Sequence, residues 1–101
     1  MADTSATQIT ASKTCLTNAA NLAVKLLSQA CGGAPGALTS DDYAAYDMFE
    51  SYVSPGLRIE VRRYLLALGE GITDAPSTAT ITAIGNASVL LTGVAASVAA
   101  E

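Results

Sequence analysis

The chain has 101 residues, the size of one domain, and carries five basic and nine acidic residues for a formal net charge of −4. This charge argues against nucleic-acid binding, which requires a basic face that contacts several phosphates. The chain contains no histidine. Ser-His and Cys-His nucleophile pairs and imidazole zinc ligands are therefore excluded.

The composition supplies many small apolar side chains and few large ones. Half of the residues are hydrophobic, but only 5% are aromatic. The core must therefore be built from Leu, Ile, Val and Ala. Burial of apolar surface stabilises a fold by about 25 cal/mol per Å², and alanine buries little area. We expect a marginally stable monomer that gains stability by association with other copies.

Charge and chain-breaking residues divide the sequence into four segments. Ten of the fourteen charged residues lie between Asp41 and Asp74, whereas none lies in 75–100. Glycine and proline cluster at 32–36, 54–56 and 69–76, as is typical of turns between helices. We predict one helical domain over residues 1–101. Its fold class is all-α, a small bundle of two long apolar helices and a short charged helical hairpin.

The first segment, from about Ser5 to Cys31, has the periodicity of a helix. One apolar row contains Ile9, Leu16, Ala20, Ala23, Leu27 and Ala30, and a second contains Cys15, Ala19, Leu22 and Leu26. The pair Gly32-Gly33 predicts its end.

Cys15 and Cys31 would be about 24 Å apart on this helix, too far for an intrachain disulfide. We interpret both as small apolar residues; the alternative is an intermolecular disulfide.

The second segment is predicted to begin at Thr39 or Ser40, since either is a good N-cap, with Asp41 and Asp42 in the first turn. Its apolar face consists of Tyr46, Phe49 and Val53. The acidic set Asp41, Asp42, Asp47 and Glu50 lacks the pattern of a calcium loop. We interpret it as a solvated helix face.

The third segment, Leu57 to Leu68, is predicted to form the second helix of the hairpin. Its stripe contains Leu57, Val61, Tyr64, Leu65 and Leu68. In the hairpin, Asp47 and Glu50 would face Arg58 and Arg62. We favour such pairing over a phosphate-binding role for Arg58, Arg62 and Arg63.

The fourth segment is predicted to be a helix that starts near Ala75, with Asp74 as its cap and Pro76 in its first turn. A three-four pattern runs through Ile81, Ile84, Ser88, Leu91, Ala95 and Val98. A β-hairpin over residues 78–98 is the alternative. It is suggested by alternating threonines followed by Gly85-Asn86, a dipeptide suited to a two-residue turn.

No motif for catalysis, cofactor binding or metal binding is recognised. The glycines at 32, 33 and 36 lie between predicted helices, so they do not form a dinucleotide-binding loop. We predict a protein that is not an enzyme, with no cofactor, no catalytic residues and no metal ligands.

Surface tyrosines and the last helix provide the candidate interface. Tyrosine suits positions where one end of the side chain is dry and the other wet. The predicted interface residues are Tyr43, Tyr46, Tyr52, Ile81, Ile84, Leu91 and Val98. For the tyrosines, core packing inside the hairpin is the favoured interpretation, ahead of an intersubunit role and of a ligand-stacking platform.

We predict a structural protein that self-assembles through apolar Ala/Thr-rich helices into a homo-oligomer, filament or shell, as a virion-, pilus- or filament-type component. Its partners would be copies of itself or another structural protein, and not nucleic acid. The first alternative is a small adaptor that binds a protein partner through its Tyr-rich hairpin.

The second alternative is a membrane-associated C-terminal segment. Residues 78–100 are uncharged, and about twenty residues span a bilayer. Polar Thr, Ser and Asn within this stretch and the absence of flanking Lys or Arg disfavour a membrane partner. The N-terminus has neither the basic nor the apolar region of a signal peptide. We expect synthesis in the cytoplasm, with an extracellular or virion assembly as the end point that fits a structural subunit.

Overall fold

The computed structural model describes residues 6–100, with side chains from Thr10 onward. Within that range the fold is all-α, with no strand. It contains α1 (Ala6–Ala30), α2 (Ser40–Ala44), α3 (Tyr46–Glu50), a 3-10 helix (Pro55–Leu57), α4 (Arg58–Gly69) and α5 (Thr78–Ala99). The predicted all-α class is confirmed. The predicted start of α1 at Ser5 and the side chain of Ile9 lie outside the described residues.

The alternative β-hairpin over residues 78–98 is wrong, because residues 78–99 form one continuous helix. Gly85, read as part of a turn, lies in the first half of this helix. A Cβ atom at Gly85 would be 3.8 Å from Leu27 Cδ1. This is an ordinary van der Waals distance, so Gly85 lies beside Leu27 of α1 without a steric need for glycine.

α5 begins at Thr78, later than the predicted start near Ala75. Its N-cap is Ser77 rather than Asp74, and the Ser77 hydroxyl accepts a hydrogen bond from the Thr80 amide at 3.2 Å. The Ser77 amide donates to Glu60 of α4 at 2.9 Å. The start of α5 is thus fixed by its own cap and by α4.

The two long helices α1 and α5 make the largest contact in the fold and run antiparallel. Gly85 lies beside Leu27, near the start of α5 and near the end of α1. A parallel pair in that register would extend over about 53 Å at 1.5 Å per residue. The whole chain is only 47 Å long. Most of α5 therefore lies along α1.

The shorter helices cover one side of this pair. The predicted second helix is two short ones, α2 and α3, separated at Ala45. The predicted apolar face is confirmed, since Phe49 and Val53 are fully buried and Tyr46 is 9% exposed. α4 contributes Val61, Tyr64 and Leu65 to the same core.

Asp42 is not on a solvated face, as the sequence suggested, but buried against α1. Its Oδ2 accepts hydrogen bonds from Lys25 Nζ at 2.6 Å and from the Thr39 amide at 2.8 Å. Lys25 also donates to the Ala37 carbonyl at 3.0 Å. Thr39 caps α2 in a capping box with Asp42, which confirms the predicted N-cap. These bonds hold α2 and the preceding loop on α1.

A second polar cluster joins α3 to α4. Arg62 Nη2 lies 2.8 Å from Glu50 Oε1, and the Tyr46 hydroxyl donates to Glu50 Oε2 at 2.6 Å. The predicted pairing of Glu50 with Arg62 is confirmed. Arg58 instead donates to the Val53 carbonyl at 2.9 Å, and Asp47 makes no ion pair within the described residues.

Two helices end in Schellman motifs built on a glycine with positive φ. At the end of α1, Gly32 has φ of 89° and Gly33 donates to the Ser28 carbonyl at 2.7 Å. This confirms the predicted stop at Gly32-Gly33. At the end of α4, Gly71 has φ of 84° and the Ile72 amide donates to the Ala67 carbonyl at 2.9 Å.

Substitution of Gly71 by alanine should lower the free energy of unfolding by about 1–2 kcal/mol, because an L side chain strains the left-handed conformation. Gly56→Ala is the matched control, since Gly56 lacks positive φ and has open space at its Cβ position. Urea denaturation followed by circular dichroism measures both. Equal effects of the two substitutions would contradict the assigned motif.

Candidate assembly surface

α5 is covered on one side only. Ala83, Ile84 and Leu91 point into the core and are at most 4% exposed. On the other side, Val89 is 74% exposed and Leu90 is 53% exposed. The apolar character of this helix thus exceeds what its own chain buries.

The coverage of α5 also decreases toward its C-terminus. No residue after Leu91 is buried in the part of the chain that the structure describes. Val94, Ala95 and Val98 remain half-buried. The last two turns of α5 therefore have fewer neighbours than the first three.

The side of α1 that points away from the core is uncharged as well. Exposed residues recur there at spacings of three and four, namely Thr10, Thr14, Thr17, Asn21 and Val24. This stripe is opposite the buried row that contains Ala19, Leu22 and Leu26. Val24 is the largest apolar side chain of the stripe and is 51% exposed.

α5 carries an exposed, uncharged row of its own, on the side away from its buried residues. On α5 this row consists of Thr82, Asn86, Val89, Gly93 and Ala96. We call these two stripes the outer face. It contains no charged residue; half-buried Lys13 lies at its border.

The predicted interface residues of α5 lie mostly behind this face. Ile84 and Leu91 are fully buried in the core of the chain itself, and Ile81 and Val98 are half-buried. The sequence prediction missed the exposed valines Val24 and Val89. On α5, the three-four spacing of apolar residues fits several faces of the helix and does not single out Val89. On α1, the uncharged row that contains Val24 could have indicated the exposed side.

The three tyrosines are in different environments. Tyr46 belongs to the core, and burial raises its pKa to about 12, supported by the hydrogen bond to Glu50. Tyr52 is half-buried and packs against the core cluster. Only Tyr43, at 44% exposure, presents a substantial part of its side chain to solvent. They do not form one common surface.

A groove of about 290 Å³ lies between α1 and the α2–α3 pair. Small residues line it, including Ala11, Cys15 and Ala44, with Asp41 at one edge. No three Cys, Asp or Glu residues lie close enough to hold a metal ion among the described residues. Cys15 and Cys31 are both free thiols.

Residues 78–99 also satisfy the length and composition of a membrane span. Their most apolar window has a mean hydropathy of 1.6, and 28% of that window is buried in the fold. A core helix of a soluble protein meets the same criteria.

Comparison with known proteins gives no relative. The chain matches no family model, no curated protein and no solved structure. The interpretation of the outer face therefore depends on its own physical chemistry.

Proposed function

We propose that this chain is a non-enzymatic structural subunit that self-assembles through its long helices into a homo-oligomer, filament or shell. The observation that supports the proposal best is the uncharged outer face, on which Val24 and Val89 are both more than half exposed. These two valines are exposed apolar side chains on rows of threonine and asparagine that carry no charge.

The distribution of charge supports association through this face rather than through the opposite side. Ten of the fourteen charged residues lie in 41–74, the segment that forms α2, α3 and α4. These charges keep the short helices solvated. Burial of the outer face would desolvate no charged group, although its threonine and asparagine side chains would need hydrogen-bond partners in the contact.

The alternatives receive less support. An adaptor that docks through the tyrosines would need them on one surface, but Tyr46 is buried and bonded to Glu50. A membrane-spanning α5 would have to leave α1, which would expose the core contacts of Ile84 and Leu91. We therefore propose copies of the same chain as the partner.

Sedimentation of the purified chain over a concentration series from low micromolar to millimolar tests this function. We expect the average mass to rise above the 10.2 kDa of one chain. High salt should not weaken the association, because no charge lies on the outer face. A clean monomer at every concentration and salt level would refute the proposal.

A further inference from the structure

The stretch of chain between α1 and α3 is attached to the bundle mainly by one charged residue. Among residues 31–44, all of which the structure describes, only Asp42 is buried. Pro35 and Leu38 are half-buried, and the others are exposed. We call residues 31–44 the hinged segment. Because it buries little apolar surface, its attachment depends on polar contacts.

These polar contacts converge on Lys25 of α1. Its Nζ lies 2.6 Å from Asp42 Oδ2 and donates to the Ala37 carbonyl at 3.0 Å. Asp42 also accepts from the Thr39 amide at 2.8 Å. Residues 34–38, which the structure describes in full, make no backbone–backbone hydrogen bond. Loss of the ion pair would therefore release both the loop and the start of α2.

We propose that the hinged segment is an acid-sensitive switch, which leaves α1 when Asp42 is protonated while α1, α4 and α5 remain packed. Its two ends suit such a movement. Gly32 has φ of 89° with open space at its Cβ position, and the helical run from α2 to α3 is interrupted at Ala45. Segments with few buried apolar contacts open at a lower free energy than the core. This switch would be a property separate from self-assembly.

The surrounding charges leave Lys25 as the ionic partner of Asp42. α1 has no other charged residue after Lys13. The charged residues of α2, α3 and α4 other than Asp42 are exposed or bonded to groups outside the hinged segment, namely Asp41, Asp47, Glu50, Arg58, Glu60, Arg62 and Arg63. Protonation of Asp42 thus removes the ion pair between the hinged segment and α1.

The direction of the pH effect follows from the environment of Asp42. Burial alone would raise its pKa, but hydrogen bonds from Lys25 and Thr39 leave the pKa below its ordinary value. The carboxylate is therefore charged and the segment closed at neutral pH. Closure is lost as the pH falls through the lowered pKa, below about pH 4.

Opening of the segment would uncover two hollows on α1. The groove of about 290 Å³ has Cys15 on its α1 side and Ala44 on the side of the hinged segment. A second cavity, of about 150 Å³, lies between Gln29 of α1 and residues 35–38. The half-buried Cys15 thiol should therefore become more accessible in the open form.

Hydrogen exchange of the Asp42→Asn variant at pH 7, followed by NMR, tests the switch, because asparagine keeps the shape of the side chain without its charge. The amides of Thr39 and Tyr43 should lose at least tenfold in protection relative to the wild type. They should also be at least a hundredfold less protected than the core amides of Leu22 and Leu91. The wild type should reach the same pattern between pH 7 and pH 3.

Asp41→Asn is the matched control and should change the protection of Thr39 less than threefold. A second readout is alkylation of Cys15 by iodoacetamide at neutral pH in a Cys31→Ser background, which Asp42→Asn should accelerate at least threefold. Undiminished protection of Thr39 in the variant and in acid would show that other contacts hold the segment. Joint loss of protection at Thr39, Leu22 and Leu91 would show that the whole chain unfolds. Either result would overturn the switch.

Discussion

Replacement of Asp42 by alanine is expected to lower the free energy of unfolding by about 3 kcal/mol, because it leaves Lys25 without its buried partner. The Asp42 carboxylate accepts two hydrogen bonds, and its side chain is only 6% exposed. The Lys25 side chain is 20% exposed. The Lys25 ammonium group can therefore be partly hydrated in the variant. For this reason the loss in free energy of unfolding should be at the low end of the range for a broken buried ion pair.

Asp41→Ala is the matched control for this substitution. Asp41 is the neighbouring residue, exposed and in the same first turn of α2. Its removal costs only a share of the helix-dipole interaction, below about 1 kcal/mol. Urea denaturation followed by circular dichroism compares the two. A similar, small effect of both substitutions would show that Asp42 is not the anchor between α1 and α2.

The same ion pair predicts how stability depends on pH. Burial alone would raise the pKa of Asp42, but hydrogen bonds from Lys25 and Thr39 outweigh it and leave the pKa below its ordinary value. A carboxylate with a lowered folded pKa stabilises the fold above its unfolded pKa of about 3.9. Stability should fall as the pH drops through the folded pKa, and Asp42→Ala should remove part of that dependence.

Substitution of Leu91 by alanine should destabilise the chain by about 2–5 kcal/mol, the range for a buried leucine that leaves a cavity. Leu91 lies on the side of α5 that faces the core and is fully buried, whereas its neighbour Leu90 is 53% exposed. Leu90→Ala should therefore cost less than about 1 kcal/mol. The difference in stability between these two variants therefore shows which side of α5 faces the core.

Thermal or urea unfolding at low concentration measures this pair, since association at high concentration would add to the apparent stability. Equal losses from Leu90→Ala and Leu91→Ala would place α5 in another orientation. A larger loss from Leu90→Ala would reverse the assigned faces and remove the basis for the outer face.

Local signals in the sequence predicted most of the helices. The apolar rows predicted α1, and the two glycines after it predicted where this helix ends. Thr39 predicted the start of α2. The pattern did not show the break at Ala45, because no proline or glycine produces it. Nor did it separate Ser77 from Asp74 as the cap of α5, since both residue types are good N-caps.

Long-range partners were harder to predict than helices. Asp42 looked like an ordinary first-turn acid, and its partner lies seventeen residues away on another helix. The signal was Lys25, an isolated charge among the apolar rows of α1. Likewise, Ile84 and Val89 both belong to an apolar helix. Only the packing of α5 on α1 decides which one is exposed.

An isotope-filtered NMR experiment on a mixture of ¹³C-labelled and unlabelled chains tests the central claim most directly. We predict intermolecular contacts from the labelled Val24 and Val89 methyl groups to unlabelled copies, under conditions where the chain associates. Association without any intermolecular signal from Val24 or Val89 would show that another surface joins the copies and contradict the account.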